Sequence, residues 1–508
     1  MSEHHRAFVV ILVLSLTMFA LVRKPAVALG MEEADFARRR NLWLAATAAA
    51  FLAYNFWIFV LVIGALLLFS ARKDSNPLAL YLFLLFAVPP FAAALPGLGV
   101  VNQLFELSFP RMLSLIVLLP FTLRRREPGA LRFGKSIADW LVVAYLLLQL
   151  LLQWRADSLT NTLRSGFYAY LDAFLPYYVA SRSFRSSHDI RDALAALVVS
   201  ALLLVPIAAF EFVKHWLLYA ALPAALDMHW DGSNYLGRGD TLRATATAGH
   251  SIAFGYLMMI ALLLHFGLRH AAATSRVWVV ALVLLATGLV VSVSRGPWVG
   301  AAVGLVVLTA AGRRPARSLG RLFAIAAVSA AVLAVTPWGA SAIDYLPFVG
   351  SIDEANVSYR QQLFDLSLLV ISQSPWFGSP YFMFAAPLQE LRNGNLIDIV
   401  NIYLLVALRT GYVGLALFCG IFASAIGSTI AALRAVRGDG DPERHEQGQA
   451  ILGVLAGVLV TIATVSDVSF IPILYWCAAG LAIGYHRLVV GETRASPRRR
   501  AAFAMGSI

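Results

Sequence analysis

Residues 192–213 read DALAALVVSALLLVPIAAFEFV, an almost uninterrupted apolar run. A helix rises about 1.5 Å per residue, so a run of this length reaches across a hydrocarbon layer about 30 Å thick. Comparable runs fall at 78–96, 109–122, 137–154, 163–181, 247–267 and 276–294, and again at 297–311, 321–338, 411–433, 449–466 and 472–489. Residues 42–70 form either one long tilted helix or a hairpin turning at Asn55. Residues 7–22 carry basic flanks on both sides (Arg6; Arg23, Lys24) and no small-residue cleavage pattern, and read as a retained first helix. The fold class expected is all-α: a polytopic transmembrane helical bundle of about 14 or 15 helices.

Composition agrees with this. Hydrophobic residues make up 60% of 508 positions and charged residues 13%, with a mean hydropathy of +0.75, outside the range of soluble globular proteins. A membrane β-barrel would alternate apolar and polar residues in segments of about 10, which these continuous runs do not. The formal charge of +12 sits in short clusters beside apolar spans rather than along one soluble domain, so it reads as a topology signal and not as nucleic-acid binding. Cys419 and Cys477 both lie in apolar segments and imply neither a disulfide framework nor a metal site.

Lys and Arg crowd into the loops around 124–135, 182–191, 269–276, 313–321, 434–444 and 487–500, whereas the opposite loops are longer and hold few. Positive charge is retained in the cytoplasm, so the first set is expected to be cytoplasmic, with the C-terminus, and the second to face outward. The organisation expected is N-terminal transmembrane helices over 1–190, a core over 191–490 with outer segments 214–246 and 339–400, and a basic cytoplasmic tail over 491–508. In the second outer segment Leu363, Leu366, Leu369 and Val370 follow a helical spacing, which predicts a short amphipathic helix against the membrane surface.

Arginines at the outer boundary need a reason, because a charge facing lipid is costly. Arg243 precedes one span, Arg295 stands at the turn between two, Arg360 opens the amphipathic segment and Arg111 follows Pro110 at the start of another span. A guanidinium fork matches phosphate oxygens, and several around one cavity would suit a pyrophosphate. The plainer alternative is that each snorkels to headgroups or pairs with an acid such as Asp240, Asp353 or Glu354. His250 follows Gly249 on the same edge and is a candidate base or a structural helix-end residue; Asp398 and Asn401 flank Val400 at the end of the outer segment, and Asp467 in the last outer turn reads as solvated.

These motifs resemble the O-antigen ligase and Wzy-type polysaccharide polymerase superfamily over roughly residues 190–490. The likeness is carried by Arg243 through Gly249-His250-Ser-Ile-Ala-Phe-Gly255, and by Ser294-Arg-Gly-Pro-Trp298. It continues with Arg360 followed by Ser374-Pro-Trp-Phe-Gly378, and with Asn401-Ile-Tyr-Leu404 leading to Gly411-Tyr-Val-Gly414. In ligases of this superfamily a histidine precedes the asparagine; that position is Val400, which turns the resemblance toward the polymerase or exopolysaccharide branch. The resemblance implies an integral glycosyltransferase of a bacterial inner membrane with its site on the periplasmic face. The substrates implied are a polyprenyl-diphosphate-linked oligosaccharide and a glycan acceptor among membrane lipids, with other polysaccharide assembly and chain-length proteins as partners and neither cofactor nor metal. It assigns Arg243 and Arg360 to the diphosphate, His250 or Asp398 to the acceptor hydroxyl, and Arg295, Asn401 and Arg111 to substrate binding. The rival readings are a ligase acting on a lipid A core or a protein, a flippase of an anionic lipid, and a non-catalytic assembly subunit. A flippase would call for polar residues at mid-membrane and related halves, and neither is evident.

Overall fold

The computed structural model describes residues 2–97, 102–123, 133–228, 237–238, 241–336, 339, 345, 354–392, 397–439 and 441–505. Asp240, Asp353 and Arg124, Arg125 and Arg126 lie outside the described residues, as does the side chain of Glu354. Helices run in chain order α1 (Glu3–Ala28), α2 (Glu33–Leu52), α3 (Phe56–Ser70), α4 (Pro77–Leu84), α5 (Phe109–Leu123), α6 (Ile137–Trp154) and α7 (159–182, with a π turn at Tyr170–Phe174). They continue as α8 (Ser187–Lys214), α9 (Ser251–Phe266), α10 (Ser275–Val291), α11 (Arg295–Ala310), α12 (Pro315–Val335), α13 (Glu354–Gln373), α14 (Ile402–Asp439), α15 (Pro442–Ile462) and α16 (Ile471–Met505). Among the described residues, six segments are long and apolar enough to cross a membrane alone, Ser187–Lys214 among them, and four shorter apolar helices accompany them. The protein is an all-α polytopic membrane protein.

The hairpin reading of residues 42–70 holds. Tyr54 turns the chain at φ +52°, and Asn55 caps α3 by accepting from the backbone N–H groups of Trp57 (2.9 Å) and Ile58 (3.4 Å). The expected span at 78–96 is corrected: α4 stops at Leu84, and Pro89 and Pro90, which lack the N–H a helix needs, lead into a strand, β1 (Ala92–Pro96). It pairs antiparallel with β2 (Gln103–Ser108), which runs directly into α5.

Two ends of the bundle are distinct. At one, Arg39 is fully buried and donates to Asp74 (2.9 and 2.8 Å) and Asp192 (2.7 and 2.9 Å), tying α2, the start of α4 and the first residue of the opening stretch into one ion cluster. Arg191 reaches Glu443 (2.9 Å) and Arg444 reaches Ser187 (3.0 Å) at the same end, so basic loops that the charge pattern grouped are neighbours in space. At the other, Glu3 accepts from Trp216 (3.0 Å) and Ser469 donates to the Ala248 carbonyl (2.8 Å).

Core helices touch through small residues. A Cβ on Gly300 of α11 would stand 2.8 Å from the Gly457 carbonyl of α15, and one on Gly304 would stand 2.9 Å from that of Gly453. Lipid tails are as apolar as leucine, so such close backbone approach, and not hydrophobic burial, favours this pairing.

The outer helix α13 has twenty residues, longer than the short helix expected, and lies on protein. Leu363, Val370 and Ile371 are buried in a second small core with Leu404, Leu405 and Leu408, while Leu369 is exposed. Beneath it α14 is broken. Gly411 has φ +66° and ψ −167°, and the turn Ser374–Gly378 fits into the break. The N–H groups of Tyr412 and Val413 donate to the carbonyls of Pro375 (2.7 Å) and Trp376 (3.2 Å), and the Ser379 N–H donates to that of Leu408 (2.9 Å). Gly378, at φ +63°, makes the reciprocal approach. Two sequence elements thirty residues and more apart are therefore one backbone-on-backbone joint.

Candidate functional site

Segment 241–250 is built to be rigid. The buried carboxylate of Glu211, near the end of α8, accepts three backbone N–H groups, from Leu218 (3.0 Å), Thr245 (3.0 Å) and Ala246 (2.8 Å). Ala246 and Gly249 take left-handed φ of +43° and +70°. Ala244 donates to the Val291 carbonyl (3.2 Å) and the Thr247 hydroxyl to that of Phe86 (2.7 Å). The segment thus carries Arg243 and His250 on fixed backbone, as a preorganised site requires.

Arg243 Nη2 donates to Ser294 Oγ at 3.0 Å, which brings it against the turn between α10 and α11. Arg295 follows in that turn; its Nε donates to the Tyr345 carbonyl (3.1 Å), and the Tyr345 hydroxyl lies 3.5 Å from Thr241 Oγ1. His250 caps α9, its Nδ1 accepting from the Ile252 N–H at 3.2 Å. Burial first, then Arg243, hold its imidazole down to about 4, with Asp398 opposing, so the three groups share one electrostatic neighbourhood. A neutral ring whose Nδ1 accepts carries its proton on Nε2, and His250 then offers the site a donor.

Asp398 Oδ1 accepts from Ser466 Oγ at 2.5 Å, and its carbonyl accepts from the Tyr359 hydroxyl at 2.9 Å. Arg360 is exposed on α13 next to Tyr359. Asn401 spends its Oδ1 on capping α14, accepting from Tyr403 (2.9 Å) and Leu404 (3.2 Å). Val400 packs against the small outer core.

Arg111 stands apart from the other arginines. Its guanidinium bonds Asp172 (3.0 Å) and the Glu106 carbonyl (2.9 Å) and lies 3.7 Å from the Tyr168 ring centre. It borders a cavity of about 1020 Å³ between β2, α6, α7, the start of α14, the turn at 467–469 and the start of α16. Arg243, Arg295, Arg360, His250 and Asp398 are not in its lining; Asp467 and Arg409 are. Asp467 lines this cavity and its side chain stays exposed there, so the solvated reading of this turn acid holds.

Sequence reading missed Glu211, Tyr345, Ser466 and Arg409, and quoted Ser294 only as part of a motif. Glu211 and Arg409 gave a signal, each a charge set in an apolar run, Phe210-Glu-Phe212 and Leu404-Leu-Val-Ala-Leu-Arg409.

The fold and this arrangement define a polytopic membrane protein in which Arg243 and Arg295 come together at the turn between α10 and α11. Residues 280–419 match the family model described as O-antigen ligase, and Arg295, Arg360, Asp398 and the Gly411 joint all fall within that stretch. No curated protein matches the chain.

Proposed function

We propose that this protein is a polysaccharide polymerase of the inner membrane, moving a glycan from its polyprenyl diphosphate onto a sugar hydroxyl of another lipid-linked repeat unit at the periplasmic face. The observation that carries this reading is the gathering of Arg243, Arg295, His250 and Asp398 at the bundle end opposite the basic loops, in a chain with an O-antigen ligase family domain. In the transfer the acceptor oxygen attacks the anomeric carbon and the bond to the diphosphate breaks, its electron pair leaving on phosphate oxygen. Arg243 and Arg360 stabilise that developing charge as fixed guanidinium donors. The acceptor proton goes to Asp398, favoured over His250 because the imidazole presents N–H and not a lone pair. Val400, apolar and packed, stands where ligases of the superfamily have a histidine, and favours polymerase over ligase.

Deleting the gene and examining lipid-linked glycans tests this. Single repeat units should accumulate and chain-length ladders vanish. Long glycans still attached to polyprenyl lipid would indicate a ligase, and units that fail to reach the periplasm a flippase; either result overturns the reading.

A further inference from the structure

Among the described residues, six acidic and basic side chains line the cavity of about 1020 Å³: Glu106, Arg111, Asp157, Asp172, Arg409 and Asp467, two cations against four carboxylic acids. Arg111 is already joined to Asp172, which leaves Arg409, facing Asp467, as the other cation. A diphosphate placed here would meet four carboxyl groups of like charge with only two cations to offset them. The remaining lining has a different chemistry. Gln149 and Gln153 supply amides that both donate and accept, and Tyr145, Tyr168, Tyr381 and Trp476 supply ring surface. Such a mixture matches sugars, which present hydroxyls at their edges and C–H groups on their faces, and the volume is at the upper end of small-ligand sites, about 300–1,000 Å³.

Position connects this cavity to the arginine site. Its wall includes the turn after α15, where Asp467 and Ser469 face the cavity while Ser466 bonds Asp398 and Ser469 bonds the Ala248 carbonyl, two residues before His250. The 380–384 segment closes another side, fastened by the Tyr381 hydroxyl on the Ala156 carbonyl. We propose that the cavity holds uncharged sugar residues of the lipid-linked glycan while the diphosphate stays with Arg243 across the 466–469 turn. The proposal rests on the glycosyltransferase reading and deepens it: the repeat unit this chain handles is neutral rather than acidic.

The test uses the full-length protein in nanodiscs with Cys419→Ala and Cys477→Ala, carrying Gln149→Cys or, as a second position, Gln153→Cys, labelled by a water-soluble maleimide. The probes are lipid-linked units accumulated in a deletion strain, the oligosaccharide freed from them by mild acid, an oligogalacturonide, and inorganic pyrophosphate. At about ten times its Kd the freed oligosaccharide should slow labelling about tenfold, as should the intact units; oligogalacturonide and pyrophosphate should leave the rate unchanged. Protection by intact units that added pyrophosphate relieves assigns the sugars to the donor, and protection that survives assigns them to the acceptor; both support the site. Absence of protection by the freed oligosaccharide, equal protection by oligogalacturonide, or no labelling of either cysteine without ligand overturns it. Arg243→Ala is scored in cells in parallel. Lost polymer with no protection leaves the polymerase reading standing and removes the cavity assignment, whereas persisting polymer removes the reading itself.

Discussion

Gly411→Ala should be among the most damaging single-methyl changes in this protein. Its φ of +66° and ψ of −167° lie where glycine is almost alone, which costs another residue about 1–3 kcal/mol. An added Cβ would stand 2.3 Å from the Trp376 carbonyl carbon and 2.4 Å from the Phe377 nitrogen. These are backbone atoms and cannot rotate away, so relief requires the 374–378 turn to withdraw by about 1 Å. Withdrawal weakens the bonds from Tyr412 and Val413 to Pro375 and Trp376, each worth about 0.5–1.5 kcal/mol. Together these effects amount to about 2–6 kcal/mol. Gly427 provides the control on the same helix: a Cβ added there would meet nothing within 4 Å, so Gly427→Ala should be neutral or stabilise by up to about 1 kcal/mol. Reversible unfolding of the full-length protein in mixed detergent micelles against SDS measures both. Gly378→Ala should resemble Gly411→Ala, and the double variant should lose less than the sum because one opening relieves both clashes. A Gly411→Ala protein within about 0.5 kcal/mol of wild type would refute the joint.

Arg243→Ala should reduce polymer formation by about a hundredfold or more with normal membrane insertion, and Arg243→Lys should recover little, because an ammonium lacks the fork; glycan ladders on gels read both. Glu211→Gln replaces one acceptor oxygen with an N–H₂ facing backbone N–H, losing at least one bond to a charged acceptor worth about 1.5–3 kcal/mol; the SDS unfolding midpoint and polymer yield should fall together. His250 takes a proton near pH 6.5 when unfolded but only near about 4 when folded. Its contribution is therefore present above pH 6.5 and lost as pH falls toward 4. His250→Asn, which keeps a capping side chain, should flatten that acid limb of unfolding free energy against pH.

The course of the chain was legible because its signals are local. Twenty-odd apolar residues span or are buried regardless of neighbours, so residues 192–213 reported a helix, and the basic loops grouped by charge, 182–191 and 434–444, do meet at one end of the bundle. The run 78–96 misled because hydropathy averages over a window and hides Pro89 and Pro90, which end α4 and divert the chain into β1. The arginines were legible as exceptions to the charge rule, and four of the singled-out residues, Arg243, Arg295, His250 and Asp398, do share one end of the fold. Who partners them was not legible, since Ser294, Tyr345 and Ser466 are ordinary residues until the fold brings them near. Arg111 shows the same limit: one turn from the membrane edge it looked like its fellows, but Asp172, sixty-one residues away, is its partner and the cavity its place. Sequence by itself determined a many-pass helical membrane protein with its unusual cations on one side, because partition between lipid and water is decided residue by residue. Only the tertiary structure decided that Gly411 and Gly378 form one joint, that Glu211 holds the Arg243 segment, and that Asp467 lines a cavity. Backbone contacts, buried hydrogen bonds and charge pairs depend on distances in space that chain order does not encode.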